Sequence, residues 1–341
     1  MHLGKQLALD PGPEAARARC DCKADARVAP GWFGSPGKET HALQSGFYAN
    51  LKTEVDTFPP NIANNDLQQV QVWESNRWPQ LEANGSSFQN TVKDAGKLMY
   101  DVSLLTLDLA RKAAFQRMQE KYSINVANIE VAVPDLRQMA EEANFLPSRL
   151  VYYDAKFERS DDRIEDGDES RKYSLPWHID FNLATAFAPA LWIDEEMALR
   201  GEDGDDSSLS LEHNNPEHES GLILRNPDGC IIPAAIGHDC LLIQLGAHSQ
   251  LSTGGILKAG PHAVGKQKDK HGNYSLGRLS FGLFVYGKWD ARMAPSPELL
   301  DIIGGDENVL KDDFSSLMKK AYTGETILDG YRKFEAYRNG S

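Results

Sequence analysis

The feature that most limits the fold is a change of pattern after residue 148. From there to residue 286, short apolar runs alternate with turn residues, which is typical of antiparallel β-strands. The predicted strands are residues 149–153, 183–187, 190–193, 221–224, 230–233, 239–245 and 278–286. The sequence Asn-Pro-Asp-Gly at residues 226–229 predicts a hairpin turn, with glycine where positive φ is needed. This succession predicts a double-stranded β-helix (jelly roll) or another antiparallel β-sandwich.

Helical patterns flank this β region. The clearest is an apolar stripe with steps of three and four residues, which predicts a long helix that braces one face of the β core. Its members are Phe88, Val92, Ala95, Met99, Val102, Leu105 and Leu109. Shorter helices are predicted at residues 41–55 and 133–144, with an aromatic-rich turn at residues 73–79 between them. Helical patterns return at residues 298–303 and 312–321.

The predicted fold class is therefore α+β with a mainly β core. Residues 1–40 form a tail or irregular segment, and residues 41–148 a helical region. Residues 149–292 form the jelly-roll core, and residues 293–341 form C-terminal helices that close it. Part of these helices, residues 314–322, is a candidate lid over the mouth of the core.

Composition narrows the functional class. The 341 residues carry a formal net charge of −14, which argues against non-specific binding to nucleic acid or to an anionic membrane. No apolar run is long enough for a transmembrane helix, and the first ten residues lack the apolar core of a secretory signal. Four cysteines are too few for a disulfide scaffold, and Cys20 and Cys22 are interpreted as free thiols rather than half of a zinc site. We expect a soluble, cytoplasmic monomer that acts on a small molecule.

Residues 176–181, Pro-Trp-His-Ile-Asp-Phe, place an imidazole and a carboxylate two positions apart, at His178 and Asp180. On an extended strand these side chains point to the same side and can approach one metal ion. Ferrous iron accepts two histidines and one carboxylate on one octahedral face, which leaves three positions open. A hydrogen-bonded structural histidine is the alternative for the pair alone.

A third ligand is expected from the β region. The candidates are His213, His218, His238, His248, His262 and His271. His262 is the best placed, because it follows a proline and a Gly-Gly turn that begins a strand. His213 and His218 are expected to be exposed, His238 to lie in a turn, and His248 to line the barrel within reach of substrate.

Two residues that follow the candidate histidines in the sequence are suited to bind an anion. Arg278 and Ser280 share one face of the most apolar strand in the C-terminal half. A guanidinium grips a carboxylate through two hydrogen bonds, and a neighbouring hydroxyl adds a third. The pair predicts a carboxylate-binding position inside the barrel.

The order His178-x-Asp180, His262, Arg278-x-Ser280 behind a helical region resembles the iron(II)- and 2-oxoglutarate-dependent dioxygenases of the isopenicillin N synthase-like superfamily. The likeness runs from about residue 40 to 290. It is supported by Asn-Arg-Trp-Pro at residues 76–79, by residues 221–229, and by residues 241–255, which resemble the strand pair that leads to the family's distal histidine.

The resemblance implies that His178, Asp180 and His262 bind Fe(II). It also implies that Arg278 and Ser280 hold the far carboxylate of 2-oxoglutarate and that Tyr153 contacts this co-substrate. The family's asparagine before that tyrosine is Val151 here. O2 would be the second co-substrate, with ascorbate as a reductant. The implied reaction is hydroxylation, desaturation or ring closure at a C–H bond, with release of succinate and CO2.

Two alternatives remain open at this point. An iron oxidase of the isopenicillin N synthase type keeps the same motif without using 2-oxoglutarate, and a catalytically silent jelly roll would only bind ligands. Strand phase gives candidate substrate residues, among which Arg225 favours a small carboxylate-bearing or amino-acid-like substrate. They are Phe181, Asn182, Thr185, Trp192, Arg225, His248 and Phe284.

The spacing from His178 to His262 and the spacing from His262 to Arg278 are both longer than the family usually shows. Residues 194–220 hold ten acidic residues against one base, Arg200, and residues 265–277 are interpreted as a long polar hairpin loop. Insertions between strands reduce the stability of the fold only slightly, because the entropic cost of closing a loop rises slowly with its length. The acidic insertion is interpreted as a solvated loop, with cation binding or partner docking as the alternative.

Overall fold

The structure is a computed structural model, and the residues that it describes fall into fourteen stretches. They are residues 31–33, 44–54, 75–83, 86–125, 133–153, 173–194, 209–211, 221–226, 228–234, 236–266, 276–288, 291, 299 and 302. Leu299 and Ile302 are helical, within the predicted helix at residues 298–303. Most of the predicted tail and of the acidic insertion, the helix at residues 312–321, the candidate lid, and the histidines at 213, 218 and 271 lie outside the described residues.

Two antiparallel sheets form the β core. The larger has eight strands, which are β1 Gly31–Phe33, β2 Gln44–Asn50, β5 Pro147–Tyr153, β7 Ala184–Phe187, β8 Leu191–Asp194, β9 Leu209–Leu211, β12 Leu242–Leu245 and β14 Leu276–Val285. Their order is β1-β2-β5-β14-β7-β12, and β8 joins β14 to β9. The smaller has the order β11-β10-β13-β6, formed by β6 Tyr173–His178, β10 Gly221–Arg225, β11 Ile231–Pro233 and β13 His262–Gly265. A short ladder joins β3 Glu82–Ala83 to β4 Ser86–Ser87.

Strand register fixes which side chains face the space between the two sheets, here called the barrel interior. Cross-strand partners share a face, so β14 presents its even-numbered residues together with Val151 and Tyr153 of β5. Val151 and Tyr153 pack with Leu222 and Val264 of the small sheet in one buried cluster. The opposite face of the small sheet carries a separate cluster of Tyr173, Ile223 and Ala263. The mainly β core with its two sheets is compatible with the predicted jelly roll.

Helix α1, Phe88–Tyr122, braces the large sheet and packs against β7 and β14. The Ser87 hydroxyl accepts a hydrogen bond from the Asn90 amide at the N-terminus, and Ser123 ends the helix in the left-handed region at φ 53°. The predicted helix is confirmed, but its predicted buried face is partly wrong, since Leu105 and Leu109 are 59% and 66% exposed. The buried face continues instead through the residues that stay in phase with Met99. These are Ser103, Leu104, Leu107, Ala114, Phe115 and Met118.

The predicted helix at residues 41–55 is wrong, because β2 occupies Gln44–Asn50. This strand pairs with β5 along its whole length, and the backbone hydrogen bonds of that ladder outweigh the weak helical preference of a short segment. The second short helix is confirmed as α2, Leu136–Glu141, whose N-cap is the Asp135 side chain.

The Asn-x-Trp-Pro turn ties the end of β2 to the start of α1. The Asn76 side chain accepts a hydrogen bond from the Asn50 amide and donates one to the Asn50 carbonyl, both at 2.7 Å. The Trp78 ring packs against Phe47 and Phe88, with centroid distances of 5.4 and 6.5 Å. This motif therefore has a structural role at the edge of the β core.

Each predicted strand run overlaps a strand, and the hairpin between β10 and β11 is confirmed with Gly229 at φ +84°. Two other predictions are wrong. The strands on either side of the predicted hairpin loop at residues 265–277, β13 and β14, belong to different sheets and so do not form a hairpin; residues 267–275 themselves lie outside the described residues. The presumed strand pair at residues 241–255 is β12 followed by a short helix, α3 Ala247–Ser252. Within the described residues, no helix is both long and apolar enough to cross a membrane.

Candidate metal and co-substrate site

Two histidines and one aspartate meet at the end of the small sheet. His178 is the last residue of β6 and pairs across the ladder with His262, the first residue of β13. Their ring centroids lie 4.1 Å apart. Nε2 of His178 is 3.7 Å from Oδ1 of Asp180, and Nε2 of His262 is 3.8 Å from Oδ2 of the same carboxylate. One ligating atom from each residue lies within 4.8 Å of the others, which is close enough to hold one ion.

A backbone carbonyl fixes the orientation of His178. Nδ1 of this residue lies 2.8 Å from the Pro176 carbonyl oxygen, so the hydrogen is assigned to Nδ1 and the Nε2 lone pair is left for a metal. Burial, and to a smaller degree the neighbouring His262, lowers the pKa of His178 to about 4, although Asp180 opposes this. The imidazole is therefore neutral at pH 7, as a metal ligand must be.

Two buried side chains orient the carboxylate of Asp180. The Thr185 hydroxyl donates a hydrogen bond of 2.6 Å to Oδ2, and the Asn182 amide donates one of 2.8 Å to the Thr185 hydroxyl oxygen. Both side chains are fully buried. Asn182 and Thr185 were predicted to contact substrate, and the structure instead places them behind the Asp180 carboxylate.

Gln244 lies behind His262. Its Nε2 donates to the Gly260 carbonyl at 2.9 Å and lies 2.6 Å from Nδ1 of His262, which is itself 3.1 Å from the same carbonyl. Oε1 of Gln244 is buried without a hydrogen-bond partner among the described residues. Turning the amide would bring Oε1 to an Nδ1–H, with the loss of the amide's hydrogen bond to Gly260, and in that tautomer the Nε2 lone pair of His262 is free for a metal. Gln244 is not among the residues predicted from the sequence, although it lies on β12, the strand that precedes β13 and His262.

Arg278 and Ser280 both face the barrel interior from β14, as their spacing predicted. Arg278 is only 4% exposed and lies between Tyr153 of β5 and Trp192 of β8. Its guanidinium is 5.9 Å from the centre of the Tyr153 ring. Ser280 is also buried, opposite Val151. The structure thus brings the three predicted co-substrate residues to one stretch of the interior wall, and it places Trp192 at this end rather than beside the metal ligands.

The remaining predicted substrate residues separate into two groups. Phe284 is half-buried and shares the interior face with Thr185. Phe181 and His248 instead stack on each other, with centroids 6.4 Å apart and planes 8° apart, and Phe181 belongs to the main core rather than to the cluster between the sheets. The positions of these two residues give no support to contact with substrate.

Arg225 lies on the outer face of the small sheet. Its neighbour Leu224 pairs with His262, so Arg225 points the other way, and its guanidinium is 4.4 Å from the centre of the Trp177 ring. This arrangement gives no support to the predicted contact between Arg225 and substrate. His238, predicted in a turn, does lie in an exposed turn.

Comparisons with known proteins bear on this geometry. No protein-family model matches the sequence, and no curated protein matches it. The structure is similar to that of a full-length Neurospora crassa protein crystallised in complex with alpha-KG, with a TM-score of 0.51, 12% identity, and coverage of 96% of this chain and 78% of that chain. It also resembles the rice dioxygenase for auxin oxidation, with a TM-score of 0.49, 15% identity, and coverage of 99% and 80%.

The chain has the fold of this Neurospora crassa protein. The resemblance expected from the sequence is therefore confirmed at the level of the fold, and a His-Asp-His triad is present where it was predicted. At identities this low, the chemistry has to be argued from the residues of the site.

Proposed function

We propose that this protein is an Fe(II)- and 2-oxoglutarate-dependent oxygenase that oxidises a C–H bond of a small-molecule substrate and releases succinate and CO2. The observation that carries the proposal is the convergence of His178, Asp180 and His262 within 4.8 Å at the end of the small sheet, with the buried Arg278 facing the same interior from the large sheet. Hydroxylation is the expected outcome.

The three side chains fit ferrous iron. Two neutral imidazoles and one carboxylate are the donor set that suits this ion, and three protein ligands leave coordination positions for other molecules. Each ligand has a partner behind it, and such partners hold metal ligands in place and tune their basicity. When bound, ferrous iron supplies the redox chemistry that couples decarboxylation of 2-oxoglutarate to oxidation of the substrate.

The Arg278 end of the interior fits the far carboxylate of 2-oxoglutarate. The guanidinium offers paired donors, the Ser280 hydroxyl lies next to it on the same face, and the Tyr153 ring flanks it. Arg278 is nearly inaccessible to bulk water, so a carboxylate there meets its donors in a medium of low dielectric constant. These residues would orient the co-substrate, while His178 and Asp180, which are half-buried, keep the metal position reachable.

Succinate formation tests the proposal. Wild-type protein is mixed with Fe(II), 2-oxoglutarate and O2, with and without candidate substrates, beside Asp180→Ala and a matched control, Asp239→Ala, at an exposed carboxylate. We expect succinate from wild type and from the control, and none above background from Asp180→Ala. Consumption of O2 without 2-oxoglutarate would instead indicate an oxidase. Tight binding of 2-oxoglutarate without any turnover would indicate a silent binding protein.

A further inference from the structure

A second guanidinium faces the barrel interior. Arg149 lies on β5, two and four residues before Val151 and Tyr153, and side chains at this spacing share a face. Val151 and Tyr153 belong to the cluster between the two sheets, so Arg149 points to the same space. Arg149 is not among the residues predicted from the sequence, although alternation along the predicted strand places it on the same face as Tyr153.

Register places Arg149 at the level of the metal ligands. Its partner on β14 is Gly282, which has no side chain, and the partner of Gly282 on β7 is Phe187. The Phe187 ring meets the His262 ring edge to face, with centroids 6.2 Å apart. The row Arg149, Gly282, Phe187 therefore runs across the wall directly beside the metal ligand His262.

Arg149 and Arg278 occupy different ends of the interior wall. Arg278 pairs with Tyr153, four residues along β5 from Arg149. At the rise of an extended strand, this separates the two positions by roughly 13 Å. A carboxylate held at Arg149 would therefore be distinct from the co-substrate carboxylate proposed at Arg278.

We propose that Arg149 binds a carboxylate of the substrate, so that this enzyme acts on small organic acids. The inference rests on the proposed function and names the substrate class of the same site. The guanidinium lies 5.2 Å from the centre of the Tyr48 ring, in a cation–π contact, and it has the paired donors that suit a carboxylate. Phe187 and Phe284 on the neighbouring strands supply an apolar surface for the rest of the molecule.

The test uses full-length protein loaded anaerobically with Fe(II) and 2-oxoglutarate, whose visible charge-transfer absorption reports both 2-oxoglutarate binding and the arrival of a second ligand. Three acids, phenylacetate, hexanoate and N-acetylleucine, are titrated beside their primary amides. We expect at least one acid to perturb the band and to bind about tenfold or more tightly than its amide, as a charged hydrogen-bonded pair would give.

Two variants at arginine positions decide the assignment. Arg149→Gln is expected to weaken binding of the acid by about tenfold or more and to leave the affinity for 2-oxoglutarate unchanged. Arg225→Gln, at a guanidinium on the outer face, is expected to change neither. An unchanged band with 2-oxoglutarate also shows that the Arg149→Gln variant is folded.

Several results would overturn the inference while leaving the proposed function intact. These are equal binding of acids and amides, no binding of any acid, no effect of Arg149→Gln, or a loss of 2-oxoglutarate affinity in Arg149→Gln equal to the loss for the acid. The last result would assign Arg149 to the co-substrate. If wild-type protein shows no band with Fe(II) and 2-oxoglutarate, the proposed function itself fails and the inference fails with it.

Discussion

His262 and His248 are both buried histidines, fourteen positions apart, and they occupy very different surroundings. His262 faces the barrel interior, with Nδ1 beside Gln244 and Gly260 and with Nε2 directed at Asp180. His248 lies in α3, stacked on Phe181, and neither of its ring nitrogens has a hydrogen-bond partner among the described residues. Burial alone lowers the pKa of His248 to about 3.

The difference shows that burial does not identify a functional histidine. What distinguishes His262 is a polar partner on one ring nitrogen and a carboxylate in front of the other, because this arrangement prepares the second nitrogen for a metal. The site around His262 should therefore respond to mutation through metal binding, and the core around His248 through stability.

The largest expected effect is in His262→Ala. Loss of a residue that hydrogen-bonds a metal ligand lowers metal affinity by roughly 10- to 100-fold. Removal of one of the three proposed ligands should weaken Fe(II) binding by more than this. Anaerobic equilibrium dialysis measures this, with His238→Ala as the control at an exposed histidine. If both variants bound Fe(II) as wild type does, His262 would not be a ligand.

Thr185→Val should weaken Fe(II) binding by roughly 10- to 100-fold, because it removes the hydroxyl that donates a hydrogen bond to Asp180. The valine side chain has nearly the same volume as threonine. Thr185→Ser, which keeps the hydroxyl, should restore most of the affinity. Equal affinities in the two variants would show that the hydroxyl does not act on the carboxylate.

His248→Leu should leave Fe(II) affinity unchanged and should reduce the acid sensitivity of the fold. Between a pH of about 6.5 and 3, the unfolded chain protonates this histidine and the folded chain does not, so stability falls as pH falls. From pH about 7.5 to about 5, this histidine should cost wild type about 2 kcal/mol, a loss that the variant avoids. Urea unfolding of metal-free protein at the two pH values measures the change, and an equal drop in both proteins would contradict it.

Gln244→Leu should have the smallest effect, about a tenfold loss of Fe(II) affinity, because the Gly260 carbonyl remains beside Nδ1 of His262. Gln250→Leu is the matched control. Gln250 is also buried, and its Oε1 accepts a hydrogen bond from the Ala259 amide, so this variant should lose stability without a change in metal affinity. Equal metal affinities in the two variants would assign Gln244 a purely structural role.

The three proposed ligands could be predicted because local pattern defines them. The two-residue spacing of His178 and Asp180, and the turn before His262, require no knowledge of strand pairing. The same holds for α1, whose apolar period spans many turns.

What the sequence could not supply is the pairing of strands and hence the face of each side chain. β2 is a strand because it pairs with β1 and β5, and β14, the strand that follows β13 in the sequence, belongs to the other sheet. For the same reason Arg225 was predicted to contact substrate and Arg149 was not. Alternation links neighbours on one strand, but only the pairing of Leu224 with His262 shows that Arg225 faces outward.

The most direct test of the central claim is the visible absorption of the protein with Fe(II) and 2-oxoglutarate in the absence of O2. We predict one Fe(II) per chain and a charge-transfer band that appears only when both are present, is lost in His262→Ala, and needs far more 2-oxoglutarate in Arg278→Gln. A wild-type protein that shows no band at saturating Fe(II) and 2-oxoglutarate would contradict the account.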